Sequence, residues 1–135
     1  RFHKRGRGEA LKCIKCGYEI LEQDNERMNK CPVCDTDFLD TYAYIYLKNS
    51  SDIKTQNEAF RRIYRNTWQW VKGLVKERMD TYDHPGDFED EVQDLMNDIY
   101  IKAIKNFRCY NPKKGGFRTW FDQMVLNHLH EQIQD

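Results

Sequence analysis

Two C-x-x-C pairs, Cys13-Ile-Lys-Cys16-Gly and Cys31-Pro-Val-Cys34, constrain the fold of this chain more than any other feature. Each pair places two thiolates on one tight turn, and the 14 residues between Cys16 and Cys31 allow the turns to face each other. Four sulfurs gathered this way suit tetrahedral coordination of one zinc ion, and the spacing is close to that of a zinc ribbon. Gly17, directly after the first pair, supplies the backbone freedom that a knuckle needs. Iron in a rubredoxin-like site would use the same ligands. A thioredoxin-like redox site would need one C-x-x-C after a strand of a βαβ unit, and that pattern is absent. The metal is expected to fold the module, since about 30 residues with few apolar side chains do not hold a core unaided. Paired cysteines of this kind favour a reducing cytosol over a disulfide framework, so a cytoplasmic protein is expected. Cys109 stands apart and reads as a partly buried thiol beside a turn.

Charge narrows the function classes. Lys plus Arg (22) balance Asp plus Glu (22), so no whole-molecule field draws the chain to nucleic acid, and any such role must rest on local patches. No apolar run reaches the length of a membrane span and no secretory segment is present, so no membrane partner is expected. Around the ribbon, Lys12, Lys15, Arg27 and Lys30 are offset by Glu19, Glu22, Asp24 and Glu26, which favours neither nucleic acid nor protein as its contact. No Ser-His-Asp, Cys-His or paired-carboxylate arrangement supports an enzyme, and His3, His84 and His128 have no catalytic partners in the sequence.

The chain divides by pattern into a basic arm (1–10), a zinc ribbon (11–48), a linker (49–56) and a helical domain (57–135). The arm, with Arg1, Lys4, Arg5 and Arg7, reads as a disordered terminus, with phosphate contact as the alternative. In 41–48, tyrosines alternate with aliphatic residues, which suggests a strand closing the ribbon. Three amphipathic helices follow. The first, from about residue 55, carries Phe60, Ile63, Tyr64, Thr67, Val71, Leu74, Val75 and Arg78 on one face, and His84-Pro85-Gly86-Asp87 breaks it. The second starts near 87–90 with an inward stripe of Val92, Leu95, Met96, Ile99, Ala103, Ile104 and Phe107. After a turn at Asn111–Gly116, the third turns Phe117, Trp120, Phe121, Met124, Val125, Leu129 and Ile133 inward. The expected class is mainly α, a three-helix bundle with a small N-terminal zinc ribbon held by four cysteines.

Two outward faces bear on function. The second helix shows Glu91, Asp94, Asp98, Lys102 and Lys105 at spacings of three and four, ordinarily a solvated face. The turn before the third helix sets Lys113, Lys114 and Arg118 beside Tyr110, Phe117 and Trp120. Basic groups interleaved with aromatics can hold single-stranded bases by stacking while neutralising phosphate. From the residues alone the core explanation of Phe117 and Trp120 stays ahead of that one, since both fit the apolar stripe.

From Asp94 to Asn127 the chain resembles, without a gap, conserved region two of bacterial RNA polymerase sigma factors, particularly the small extracytoplasmic-function and phage types. Asp94-Leu95-Met96-Asn97-Asp98 is similar to the family's D-L-x-Q-E, Tyr110-Asn111-Pro112-Lys113-Lys114-Gly115 to its F-D-P-x-x-G, and Phe117-Arg118-Thr119-Trp120 to its F-R-x-W. The resemblance implies that Asp94, Leu95, Asn97, Asp98 and Lys102 face the coiled coil of the largest subunit of core RNA polymerase. It further implies that Tyr110, Asn111, Lys113, Lys114, Arg118 and Trp120 lie at the melted promoter, and capture a base flipped from the non-template strand of the minus-ten element. The third helix continues into the family's recognition helix. Gln123, Asn127 and His130, spaced i, i+4, i+7, share a polar face able to reach base edges.

Gln123 and Met124 stand where housekeeping sigma factors carry adjacent tryptophans, which points to an alternative or phage-type factor. The family's second helix-turn-helix domain is not within these 135 residues, so upstream recognition is expected either from a further part of a longer chain or from another protein. The expected function is therefore a sigma-like initiation factor without chemistry of its own. The alternatives are an interaction module that holds polymerase or a regulator without reading DNA, and, further behind, a factor resembling archaeal transcription factor B.

Overall fold

The computed structural model describes residues 11–21, 23–24, 28–49, 51–79 and 88–132. The basic arm 1–10 with His3, the charged residues Glu22, Glu26 and Arg27, the break at His84-Pro85-Gly86-Asp87, and Ile133 lie outside the described residues. The chain is mainly helical with a cysteine cluster near its N-terminus. In order come β1 (Leu11–Lys12), β2 (Glu19–Ile20), α1 (Phe38–Lys48), α2 (Ile53–Met79), α3 (Phe88–Lys105), a 3-10 turn (Phe107–Cys109) and α4 (Phe117–Gln132). These form two compact units, Arg1–Asn66 with Pro112–Phe117, and Thr67–Asn111 with Arg118–Asp135.

In the first unit the sheet is minimal. β1 and β2 pair antiparallel around the first knuckle, with Leu11 opposite Ile20 and Lys12 opposite Glu19. An isolated bridge, Lys30 to Asp37, closes the second knuckle in the same way. The strand expected at 41–48 is instead helix α1. Its start is set by Asp37, in an extended conformation, whose carboxylate accepts the Leu39 amide at 2.9 Å. Phe38, Leu39, Tyr42 and Ala43 are buried while Tyr44 is exposed. That spacing of one, three and one is a helix face, so burial against the knuckles overrides the two-residue alternation of the tyrosines. α1 ends where Asn49 turns back on the Ile45 carbonyl through both its amides. Asp52 then accepts the Thr55 amide at 3.2 Å and its hydroxyl at 2.8 Å, so α2 begins at Ile53, within the stretch read as a linker.

A buried charge cluster ties α2 to the knuckles. Arg62, 3% exposed, donates Nε to Glu58 at 2.8 Å and Nη1 to the Ile20 carbonyl at 2.9 Å. Its guanidinium carbon lies 5.8 Å from the centre of the Tyr42 ring. Burial pushes the Tyr42 phenol up to about 12. Between the knuckles, buried Asp24 accepts the Tyr18 hydroxyl at 2.9 Å and the Leu21 amide at 3.0 Å, and is a structural acceptor rather than a surface charge.

The second unit is built from three helical segments that meet pairwise. The Thr67 hydroxyl on α2 is 2.6 Å from the Tyr100 hydroxyl on α3. Trp70 meets Phe121 of α4 edge-on at 5.8 Å, and Tyr100 meets the same ring at 5.7 Å. Val71, Val75, Met96, Ile99, Ala103, Val125 and Leu129 complete the core. Three assignments of the stripes are corrected. Tyr64 and Ile104 turn outward, at 36% and 45% exposed, and Tyr100 occupies the inner face of α3 in place of Ile104. His128, assigned no place in the core, is buried on α4. None of the helices described is long and apolar enough to cross a membrane.

Candidate metal centre and outward helix faces

The four predicted metal ligands come together. The sulfurs of Cys13, Cys16, Cys31 and Cys34 all lie within 4.8 Å of one another, and Cys13–Cys34 and Cys16–Cys31 are each 3.5 Å apart. Zinc–sulfur bonds of about 2.3 Å in a tetrahedron set the sulfurs about 3.8 Å apart, so the donor set is compatible with one zinc ion. The two knuckles repeat each other bond for bond. Cys13 and Cys31 donate to the carbonyls of Tyr18 and Thr36, and accept from Gly17 and Asp35. The amides of Lys15 and Val33 each point at the sulfur two residues back, at 3.5 and 3.4 Å. The repeat explains the backbone at Gly17 and Asp35, which have φ of 81° and 70° at equivalent places. Glycine reaches that region freely, and aspartate is among the few other residues that tolerate it.

The thiols differ in electrostatics. Burial pushes Cys13 up, but the amides of Cys16 and Lys15 and the thiols of Cys34 and Cys16 outweigh it and bring the group down to about 6. The Tyr18 amide lowers Cys16, yet burial and the thiols of Cys31, Cys34 and Cys13 prevail and raise it to about 12. Cys34 is lowered by the hydroxyl and amide of Thr36. Shared among four close sulfurs, the charge of several thiolates is unfavourable without a cation, and a divalent metal removes that repulsion.

On α3, Asp94, Asn97 and Asp98 are exposed, Leu95 is half-buried, and half-buried Lys102 is 3.1 Å from Glu131 of α4. Asn97 accepts from Gln93 at 3.0 Å. Exposed Ile101 and Ile104 lie on the outer side of the same helix.

On α4, Gln123, Asn127 and His130 are exposed, and the Gln123 amide donates to Asn127 at 3.1 Å. Trp120 is half-buried between Phe107 at 6.2 Å and Tyr110 at 5.7 Å. Tyr110 itself is only 6% exposed, so its ring lies behind Trp120 rather than open to solvent. Arg118, half-buried, stands 5.8 Å from the ring centre of Trp70. Asn111, Lys113 and Lys114 are exposed in the turn.

An open groove of about 310 Å³ runs between α3 and α4, lined by Lys102, Asn106, Cys109, Trp120, Gln123 and Asn127 among others. Cys109 is exposed at its edge, not partly buried as its sequence context suggested.

Sequence reasoning missed His128, whose two ring nitrogens are buried without a hydrogen-bond partner. Burial lowers its pKa, with the nearby Lys102 ammonium acting in the same sense. Its register, seven residues after Phe121 and three after Val125, was the available signal. The same holds for Arg62, three residues after Ala59 and four after Glu58. Compared with protein-family models, with curated proteins and with solved structures, the chain matches none.

Proposed function

We propose that this chain is a sigma-like initiation factor. It docks on core RNA polymerase through the outer face of α3 and reads the minus-ten element with α4. The observation that carries the reading is the division of α4. Phe121, Val125 and Leu129 are buried, while Gln123, Asn127 and His130 form one exposed face with Trp120 at the groove beside it. Exposed amides at i and i+4 have the reach and the donor–acceptor pairs for base edges, and a half-open indole offers a stacking surface for an unpaired base. The exposed Asp94, Asn97 and Asp98 on α3 support the docking half, and the resemblance to sigma region two supplies the link between the two faces. A zinc ion held by Cys13, Cys16, Cys31 and Cys34 would neutralise the thiolates and brace the knuckles without taking part in chemistry.

The buried position of Tyr110 favours a second reading. With that ring closed off, one of the two aromatics expected at the melted strand is not available, as in an interaction module that holds polymerase or a regulator without reading DNA.

Co-elution with the host's own core RNA polymerase separates these readings from simple architectural likeness. The native chain is expected to bind, and an Asp94→Lys/Asp98→Lys variant to be lost from the complex. Absence of binding by the folded, metal-loaded native chain would overturn the initiation-factor reading and leave, of the second, only a module that holds a regulator. Binding to core without any preference for a minus-ten single strand over a scrambled one would leave the interaction module.

A further inference from the structure

The first turn of α1 connects the cysteine knuckles to a distant turn of the chain. On the knuckle side, the Lys30–Asp37 bridge delivers Asp37 as the cap of α1. The amide of Ile14, inside the first C-x-x-C, donates to the Thr41 hydroxyl at 3.4 Å. Between these two anchors lies Asp40. Its Oδ1 accepts the backbone N–H of Phe117 at 2.7 Å. Gly116 approaches the same carboxylate so closely that a Cβ there would stand 3.3 Å from Oδ1.

The first amides of a helix have no partner within it, and a local side chain ordinarily supplies one. Here the partner of Phe117 lies 77 residues earlier in the chain. The residues just before Phe117 are Gly115 and Gly116, which have no side-chain acceptor to offer in its place. Gly115 and Gly116 also add no side chain that would fix the end of the turn next to Phe117. The Asp40–Phe117 bond therefore requires α1 to be folded against the knuckles, and knuckles of so few apolar residues depend on their metal for folding.

We infer that metal occupancy of the four-cysteine centre governs the conformation of the Pro112–Phe117 turn through α1, with Asp40 as the positioning residue. Metal favours the state in which Asp40 is presented, and by reciprocity the formed cap strengthens metal binding. Lys113 and Lys114 ride on that turn. The inference deepens the proposed function by giving the metal module a task, the presentation of this lysine turn.

The test is amide hydrogen exchange on the full chain, zinc-loaded and after chelation, with Phe117 as reporter and Val125 in the second unit as reference. It contains neither polymerase nor DNA, so its failure is distinguishable from failure of the proposed function. Chelation is expected to lower protection of Phe117 by about tenfold or more while Val125 keeps its own. In Asp40→Ala, protection of the Phe117 amide should fall below that of the native chain and no longer respond to zinc. Asp40→Asn, which keeps an acceptor oxygen, should restore part of the protection and its response to zinc. Equal protection of Phe117 in loaded and chelated protein would overturn the inference. So would loss of protection at Val125 together with Phe117, because the metal would then support the whole chain rather than this turn. An unaltered response to zinc in Asp40→Ala, or in Asp40→Leu should the alanine variant not fold, would remove Asp40 from the connection.

Discussion

The carboxylate of Asp40 caps the amide of Phe117 at 2.7 Å, joining the first turn of one helix to the first residue of another. Asp40→Ala removes the acceptor and leaves that amide half-enclosed. Loss of a cap of this kind is expected to destabilise the chain by about 1 kcal/mol, read as a lowered urea midpoint with an unchanged slope. Gly116→Ala should act at the same place, since its new methyl crowds the carboxylate.

Arg62 is expected to be the most sensitive charged residue. It is 3% exposed and holds both buried Glu58 and the Ile20 carbonyl. Truncation to alanine takes away one of the two arginines on the buried Glu58 carboxylate, Arg61 keeping its 2.7 Å contact, and leaves the Ile20 carbonyl without its Arg62 donor, for which about 1–3 kcal/mol is usual. Arg62→Ala/Glu58→Ala, which also removes the buried carboxylate and leaves the part-exposed Arg61 to solvent, should cost less than the sum of the two single variants. Chemical denaturation of the single and double variants checks this.

The cysteine cluster should bind one cobalt ion per chain in place of zinc, with the absorption of tetrahedral thiolate coordination. Cys31→Ser should weaken that binding and shift the spectrum, because one thiolate donor is replaced by a poorer oxygen. Gly17→Ala should also weaken it. A side chain at a φ of 81° costs about 1–2 kcal/mol, which the metal-bound knuckle must carry.

Acidification should destabilise the chain through His128. Its nitrogens are buried without partners, and Lys102, Asp98 and Glu131 are the charged groups nearby that act on it. Burial, then Lys102, holds the folded pKa below the usual 6.5. As pH falls through 6.5 the unfolded chain takes up a proton that the folded chain refuses, so stability contributed by neutral His128 is present above 6.5 and declines below it. The decline ends once pH has passed the lowered folded pKa. Urea midpoints measured from about pH 7.5 to 5 should fall, and His128→Leu should flatten the part of the slope that this residue supplies.

Asn127→Ala should separate recognition from stability. The side chain is exposed and bonded to exposed Gln123, so its removal is expected to shift stability by less than about 0.5 kcal/mol. If α4 reads bases, discrimination between a cognate and a mismatched minus-ten strand should fall by about 1–3 kcal/mol. Competition binding in the presence of core polymerase, at fixed salt, measures it.

Local features of this protein are written in its residue order. Ligand identity follows from C-x-x-C spacing, because a four-residue turn brings its own two sulfurs together whatever lies beyond. The third helix and its buried Phe117, Phe121, Val125 and Leu129 follow from a 3.6-residue period that survives in any helical packing. Tertiary structure decided what depends on neighbours distant in sequence. Residues 41–48 alternate like a strand, yet burying Phe38, Leu39, Tyr42 and Ala43 together requires a helix. Arg62 and His128 sit at inner positions of their helices, but whether an inner polar group is paired, as for Arg62, or left without a hydrogen-bond partner, as for His128, depends on which groups arrive opposite it. Asp40 is the extreme case. Nothing within reach of it in the chain marks an acceptor for Phe117, because hydrogen bonds across 77 residues arise only when the folded backbone brings donor and acceptor into register.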